Sequence, residues 1–513
     1  MSLTLEGRLS KLSALGQYKS VISEGTTYID EENIASLVIE AYLELGDVDR
    51  AEKVIKESLR KNFSTKGRKE LLFFTAKCKY LRNDYQTGLE VIQEALVLND
   101  GGTERLILGR LLTLTSEILW RQGRLPEALQ ASERAIATLE DEKSALCLAA
   151  AFNARGMIFR GLGIVDEALD AHRRALELRR TSGNSQHIAN SLNNIAVVHW
   201  TNGRLRTAVE YLEQAFLLQD RIENTNVVAN WINNTAIIKE TQGAYSVALR
   251  LYREAEFLFQ KENNLPGLAT THGNIGEIKR KLGLLLEAKS YHEGALKMRL
   301  RIGNSHYIAE SLFFLALVRM DQGLPVRSGD LFKDFPKGPE YPPTVTGFYK
   351  MIQALIAQQD NNWLEARHFW QEALNIVTLE FYFKTFCHEQ LATISFLQWM
   401  SNPSLNLKKK LHDCLSRWES LCRENFLVSS LCKLYLIRAK LEIADFNQEK
   451  ANFLLKECRE MANENGLNKY LELAEMEIQK LEDIFIHPLA IDLVNRKRLE
   501  QDHLAQLLIY LKA

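Results

Sequence analysis

Eight asparagines recur in this chain at intervals of 40 residues and form three short columns. The columns are Asn153, Asn193 and Asn233, then Asn194, Asn234 and Asn274, and finally Asn190 and Asn230. A carboxamide carries an acceptor oxygen and two donor hydrogens on a short side chain, so it can bond both the C=O and the N–H groups of an extended peptide. The columns therefore favour a site that holds peptide main chain. The alternative is that they connect adjacent repeats or face water.

The asparagines belong to a longer internal repeat. Glycines stand 40 residues apart at Gly123, Gly163, Gly203, Gly243, Gly283 and Gly323. An alanine follows each of the first five glycines after five residues, as Ala208 follows Gly203, and a small residue precedes each glycine by seven positions. A register kept over six copies predicts repeat architecture before any residue is given a role.

Each copy consists of two helical patterns, such as 187–203 followed by 204–220. The glycine ends the first helix, where a left-handed residue costs least. A further asparagine column precedes the next helix, where Asn suits a cap position: Asn184, Asn224, Asn264 and Asn304. The small residues let the two helices approach closely. One such pair cannot bury its own apolar face, so the copies are expected to stack into a solenoid.

The spacing of small residues at 156, 168 and 175, with Gly163 in the turn, resembles the tetratricopeptide repeat. The 40-residue period is longer than that family's usual length of about 34. It is similar to the variety in kinesin light chains, Pins-type adaptors and prokaryotic regulators. The resemblance covers 105–325 most strongly. It implies an all-α, right-handed solenoid of roughly a dozen antiparallel helix pairs, whose concave groove binds peptides or protein segments.

In the family that this chain resembles, the arc of the first helix that carries the asparagine columns faces the groove. The eight asparagines are therefore expected to hold the main chain of an extended segment, while Trp200, Arg160 and Arg280 select its side chains. Such anchors are needed because six hydrogen bonds contribute only about 3–9 kcal/mol, and association costs about 4–15 kcal/mol. Trp231 points toward the neighbouring repeat and is expected to pack there.

Two histidines occupy one position of the second helix in two copies, at His172 and His292, where Leu212 and Tyr252 stand in other copies. The apolar equivalents favour a packing role, and the two histidines are too far apart to bind one metal ion. No phosphate-binding glycine loop, metalloprotease motif or nucleophile elbow is present. We therefore expect no catalytic residue, no metal site and no cofactor.

The sequence predicts four regions. Residues 1–104 read as irregular helix pairs, and 105–334 as the regular array. Residues 335–343 are a proline-rich interruption, which could be a hinge, a docking strand or a plain insertion. Residues 344–513 read as divergent helix pairs followed by terminal helices near 467–484 and 487–511.

The formal net charge is −1, which argues against a nucleic-acid surface. There is no apolar run of about 18 residues, so no membrane contact is expected, and the first residues lack the apolar core of a signal peptide. The seven cysteines form no CxxC motif and read as buried residues in a reducing compartment. The sequence therefore predicts a cytoplasmic, non-catalytic scaffold for a peptide or protein partner. The alternative is a regulatory or sensor module of a signalling or transcription system that switches when a peptide or partner binds.

Overall fold

The computed structural model describes residues 4–98, 105–142, 144–218, 220, 222–326, 333, 335, 343–376, 381–424, 427–445, 447–464 and 467–486. Within these ranges the chain forms 24 α-helices and one 3-10 turn at Thr26–Tyr28, and no β-strand. The helices are α1 Leu5–Ala14, α2 Tyr18–Gly25, α3 Glu32–Glu44, α4 Val48–Ser58, α5 Thr65–Leu81, α6 Tyr85–Val97, α7 Arg105–Arg121, α8 Leu125–Leu139, α9 Ala145–Gly161, α10 Val165–Ser182, α11 Ser185–Thr201, α12 Leu205–Phe216, α13 Thr225–Thr241, α14 Tyr245–Lys261, α15 Leu265–Lys281, α16 Leu285–Ile302, α17 Ser305–Asp321, α18 Pro343–Gln359, α19 Trp363–Leu374, α20 Phe381–Ser401, α21 Leu405–Glu424, α22 Val428–Ala444, α23 Gln448–Glu464 and α24 Asn468–Ile486.

Consecutive helices pack against each other as pairs, from α7 with α8 through α15 with α16 in the regular array. The connections within these pairs are only three residues long, which forces the two helices to run antiparallel. Further pairs follow at α18 with α19, α20 with α21 and α22 with α23. The predicted all-α solenoid of helix pairs is therefore confirmed.

The turn within each regular pair depends on a residue in the left-handed conformation. Gly203 has a φ of 78° and Gly243 a φ of 85°, a region that only glycine enters without steric cost. Asn83 and Asn361 occupy the same point of two outlying pairs, with φ of 62° and 56°. Asparagine is the next best residue there, which explains how the irregular pairs keep the same turn.

The small residues lie where the two helices of a pair touch. Ala208, Ala248 and Ala288 are completely buried. Gly156 lies directly over the ring of His172, where an added Cβ would come within 2.6 Å of the imidazole. The small residue on the first helix, here Gly156, thus leaves room for the larger side chain that faces it from the second helix, here His172.

The same balance explains both histidines. His292 lies under Gly276, where an added Cβ would be 2.9 Å from its ring, whereas the neighbouring pair has Ala236 opposite Tyr252. Burial lowers the pKa of His172 to about 3 and that of His292 to about 4. Both histidines are neutral, buried packing residues, as the sequence predicted.

Successive turns of the superhelix rest on each other. The caps that begin first helices reach back to the preceding turn: Asn184 donates to the Tyr18 hydroxyl at 2.9 Å, and Asn304 donates to the Arg121 carbonyl at 2.6 Å. These partners are 166 and 183 residues apart, so one superhelical turn spans between four and five 40-residue copies. Each of these two cap asparagines thus stabilises the start of its helix and also joins it to the preceding superhelical turn.

Some sequence-based predictions fall on residues outside the described ranges. Pro336, Pro339 and Pro342 of the proline-rich interruption lie there, as does the predicted terminal helix at 487–511. Pro343 begins α18, and Phe335 is buried 5.4 Å from the ring of Tyr349.

All seven cysteines are free thiols, and five of them are buried. Among the described residues, no helix combines the length and the apolar character needed to cross a membrane.

Candidate peptide-binding channel

The first helices of the regular pairs line a channel with two adjoining sections. The polar section is a cavity of about 380 Å³ that contains most of the asparagine columns. The aromatic section is a cavity of about 480 Å³ between the array and the C-terminal helices. Trp200, Ile237, Asn274 and Glu310 line both cavities, so the two sections adjoin and share part of their walls.

The polar section is walled by two superhelical turns. Helices α11, α13 and α15 supply its asparagines, and α7 and α9 supply Arg121 and Arg160. The opposite wall is the start of α17, with His306 and Tyr307. This wall is brought to α7 by the bond from Asn304 described above. The section therefore exists only because the superhelix closes a full turn.

The two longer asparagine columns form a hydrogen-bonded ladder across the repeats. Its three rungs run from Asn194 to Asn153 (2.8 Å), from Asn234 to Asn193 (2.9 Å) and from Asn274 to Asn233 (3.4 Å). In each rung the amide Nδ2 donates to the Oδ1 of the preceding copy. The asparagines therefore do connect adjacent repeats, which was the alternative to ligand contact.

The ladder leaves part of each amide unused. Asn193 spends only its oxygen, so both of its Nδ2 hydrogens stay available, and Asn194 and Asn274 keep an acceptor oxygen. Asn190 and Asn230 form no side-chain hydrogen bond within the described part of the chain, and both line the polar section. One wall of the polar section thus presents both unused donors and unused acceptors, the two kinds of group that peptide main chain also carries.

Two predicted site residues are less available. Asn153 is half-buried and provides the first acceptor of the ladder, but it is not among the residues that line the cavity. Asn233 is only 5% exposed, and its oxygen also accepts a bond from Thr271 at 3.2 Å. These two asparagines serve the connection between repeats.

The predicted anchors lie in different sections. Arg160 lines the polar section. Trp200 stands at the junction, and its Nε1 lies 3.4 Å from the Thr241 hydroxyl. Trp231 packs as expected, with its ring stacked 5.1 Å from Phe216.

Arg280 lies in the aromatic section, where its charge is already paired. Its guanidinium donates to both oxygens of Glu277, at 2.8 and 2.9 Å, and to Asp321 at 2.6 Å. Burial alone would raise the pKa of Glu277, but attraction to Arg280 and then Lys281 outweighs it and lowers the pKa to about 2. The Tyr382 hydroxyl donates to the same carboxylate at 2.9 Å. Arg280 is therefore part of a buried ionic network in the cavity wall.

Most of the aromatic lining was missed by the sequence reasoning. Helix α20 contributes four aromatic side chains in six residues, Phe381, Tyr382, Phe383 and Phe386. Tyr245, Trp363 and Tyr470 complete this wall. The cluster of aromatic residues at 381–386 is visible in the sequence, but it lies outside the 40-residue register, so the repeat pattern does not place it. Its position opposite Glu277, which is 105 residues earlier than Tyr382, follows only from the curvature of the superhelix.

Comparison with known proteins identifies the repeats. Two family models, each described as tetratricopeptide repeat, match residues 147–219 and 188–261 in one case and 39–103 in the other. No curated protein matches the chain.

Comparison with solved structures gives matches of low sequence identity. A Rap protein complexed with Competence and Sporulation Factor aligns with a TM-score of 0.50 and 12% identity, over 75% of this chain and 99% of that one. Aspartyl phosphate phosphatase F from Bacillus subtilis aligns at 0.37 and 15% identity, over 72% and 94%. The Cut9 and Hcn1 assembly of the APC/C aligns at 0.40 and 14%, over 92% and 96%. The Rap alignment, at 12% identity, shows a similarity of fold alone.

The helix pairs, their left-handed turns and the family matches agree with each other. Residues 39–103 and 147–261 of this chain contain tetratricopeptide repeats.

Proposed function

We propose that the protein is a non-catalytic scaffold that binds an extended peptide or protein segment in the channel. The observation that carries the proposal is the set of unused amide donors and acceptors in the polar section, on Asn190, Asn193, Asn194, Asn230 and Asn274. The ladder fixes the rotamers of Asn193, Asn194 and Asn274 before a ligand arrives. Less side-chain entropy is then lost on binding, since preorganised groups cost less to immobilise.

The aromatic section supplies the affinity that the amides lack. A cavity of about 480 Å³ lined by aromatic rings accepts apolar side chains of the same segment. Burial of such side chains contributes about 25 cal/mol per Å² of apolar surface, which is needed against the cost of association. The partner is therefore a segment with large apolar residues next to a stretch that is recognised by its main chain.

A switching role is the second candidate, and it is favoured by the contacts between superhelical turns. The Asn304–Arg121 bond joins the two walls of the polar section, and the Asn184–Tyr18 bond joins the same superhelical turns elsewhere. A ligand that separates these walls would have to break such bonds. Ligand binding would then change the pitch, which small-angle scattering with and without a bound peptide measures as a change in the radius of gyration.

The main proposal is tested with a synthetic array of 12-residue peptides with blocked ends, followed by fluorescence anisotropy with the peptides that bind. The Asn190→Ala, Asn230→Ala double variant removes unused amides without touching the ladder. We expect about tenfold weaker binding, as two lost hydrogen bonds predict, and an unchanged melting temperature. Asn202→Ala, an exposed asparagine outside the channel, is the matched control. Array peptides that bind the double variant as tightly as the wild type would contradict the proposal.

A further inference from the structure

Two copies of the repeat hold an arginine in the same polar cradle. Arg179 of α10 and Arg299 of α16 are 8% and 5% exposed. Nη1 of Arg179 donates to the His187 carbonyl at 3.2 Å and to the Ser191 hydroxyl at 2.8 Å. Nη1 of Arg299 makes the equivalent bonds to the Tyr307 carbonyl and the Ser311 hydroxyl, at 3.0 and 2.8 Å. The two copies therefore hold a guanidinium at the same point of the repeat. Arg299 itself lines the polar section, whereas Arg179 lies behind the lining, on the helix before Asn190.

Only one of the two arginines has a carboxylate. Glu310 lines the channel and lies 2.8 Å from Nη1 of Arg299. The same position of the earlier copy is Asn190, which also lines the channel but carries no charge. Arg179 forms no ion pair with any carboxylate among the described residues, and it attracts Glu44 and Glu117 only at longer range.

The Arg179 charge is costly as it stands. Burial lowers the pKa of Arg179 to about 10. The nearest acidic candidate, Glu44, is already bonded to Lys77 and His187, each at 3.1 Å. A buried cation without a close partner is unfavourable by several kcal/mol, and a carboxylate that reaches it recovers much of that cost.

The surrounding wall has the charge that such a ligand needs. Arg121 and Arg160 line the polar section together with Asn190. The Arg121 side chain contacts the Tyr80 hydroxyl at 3.4 Å and the ring of Trp120, and it is paired with no described carboxylate. Glu310 is the acidic residue of this wall, and Arg299 already neutralises it.

We propose that Arg179 binds a carboxylate of the bound segment, which takes beside Asn190 the position that Glu310 takes at Arg299. This inference rests on the proposed function and adds a chemical requirement to it. The partner segment carries an acidic group, either an Asp or Glu side chain or its own C-terminus, at the point that lies over α11. Arg121 draws this end of the segment into the polar section by its charge.

The test uses pairs of blocked array peptides that differ by Asp or Asn at one position, scanned along each peptide that binds. The wild type should prefer Asp at one position by at least tenfold, or about 1.4 kcal/mol, since a buried hydrogen bond to a charged group is stronger than one to a neutral group. Peptides with a free or an amidated C-terminus then separate a terminal carboxylate from a side chain.

The decisive variant is Asn190→Glu, which supplies the missing carboxylate from within. This variant should have a higher melting temperature than the wild type, and it should bind the Asp and Asn peptides about equally. Asn230→Glu adds the same charge to the same channel one copy later, where Gln219 stands in place of the arginine. This control should keep most of the preference and gain no stability. Equal loss in both variants would reduce the effect to general repulsion and overturn the proposal.

The converse variant, Glu310→Asn, should create a second position at which Asp is preferred, because Arg299 then resembles Arg179. Acetate in place of chloride at constant ionic strength is the probe that needs no peptide. It should raise the melting temperature of the wild type but not of Asn190→Glu. Peptide binding with neither an Asp preference nor an acetate shift overturns this inference alone. An acetate shift without any peptide binding overturns the proposed function and keeps the anion site.

Discussion

The polar and aromatic sections belong to one channel, but they are built in different ways. The polar section repeats the same helix positions from copy to copy, so its amides fall into register and bond to each other at 2.8 to 3.4 Å. The aromatic section joins α15 to α20 across 105 residues and is closed by an ionic network and rings that do not repeat. Periodicity provides a uniform wall of amides, whereas the irregular C-terminal helices provide a cavity with an aromatic lining that does not repeat.

If the aromatic section depends on its buried ionic network, Glu277→Ala should have the largest effect on folding. It leaves Arg280, Lys281 and Tyr382 without their shared carboxylate, which costs about 3–5 kcal/mol of unfolding free energy. Urea denaturation measures this loss. Asp321→Asn removes the outer, 40% exposed partner of Arg280 and should cost less than about 1 kcal/mol. Similar losses in both variants would mean that the network contributes little to stability.

The regular section should instead be sensitive to volume. Ala208→Leu forces extra atoms into a completely buried contact between α11 and α12, so we expect a loss of about 1–3 kcal/mol. The matched control is Val247→Leu, at a residue that is 36% exposed on the outer side of α14. A wild-type unfolding midpoint for Ala208→Leu would show that the pair can open without cost.

The buried histidines should make the regular array sensitive to acid. Their pKa values are about 3 and 4 in the folded protein and about 6.5 when unfolded, so the unfolded chain binds more protons between those limits. Stability should therefore fall as the pH decreases below about 6.5 and level off near the folded values. The Gly156→Ala, His172→Leu double variant copies the Ala196 and Leu212 pair and should flatten this decline, as measured by melting temperature against pH.

Two control variants test whether the acid sensitivity comes from the buried histidine. His412→Gln changes an exposed histidine and should leave the slope as it is in the wild type. Gly156→Ala alone should destabilise at every pH, because its Cβ meets the His172 ring. If the double variant keeps the full acid sensitivity, the buried histidine is not its source.

The smallest expected effects separate the two roles of the asparagines. Asn194→Ala with Asn234→Ala removes two ladder rungs. The free energy of unfolding should decrease by about 0.5–1.5 kcal/mol for each lost bond, with a lower melting temperature, and peptide affinity should decrease as well. Asn190→Ala with Asn230→Ala should lower affinity alone. Calorimetric melting and anisotropy on the same samples test the distinction. Equal melting losses in the two double variants would remove it.

Periodicity alone determined the helix pairs, the left-handed turns, the cap asparagines and the packing of His172 and His292. Each depends on contacts within one copy or between neighbours, which recur every 40 residues and can be read along the chain. The interpretation of the asparagine columns was incomplete because a groove-facing amide can bond sideways as well as inward. The distance between adjacent copies decides which bonds form, and that distance is a property of the stacked array.

The tertiary structure alone decided what lies across the channel. The sequence placed Arg280 on the groove side, but α20 and α17 supply the neighbours that engage it, Glu277 being shared with Tyr382. Equally, the missing carboxylate at Arg179 becomes visible only when Arg299 and Glu310 are seen in contact. Such pairings depend on the pitch and curvature of the superhelix, which sum small rotations over many copies. No local sequence pattern encodes this accumulated rotation, although the rotation decides which distant residues come into contact.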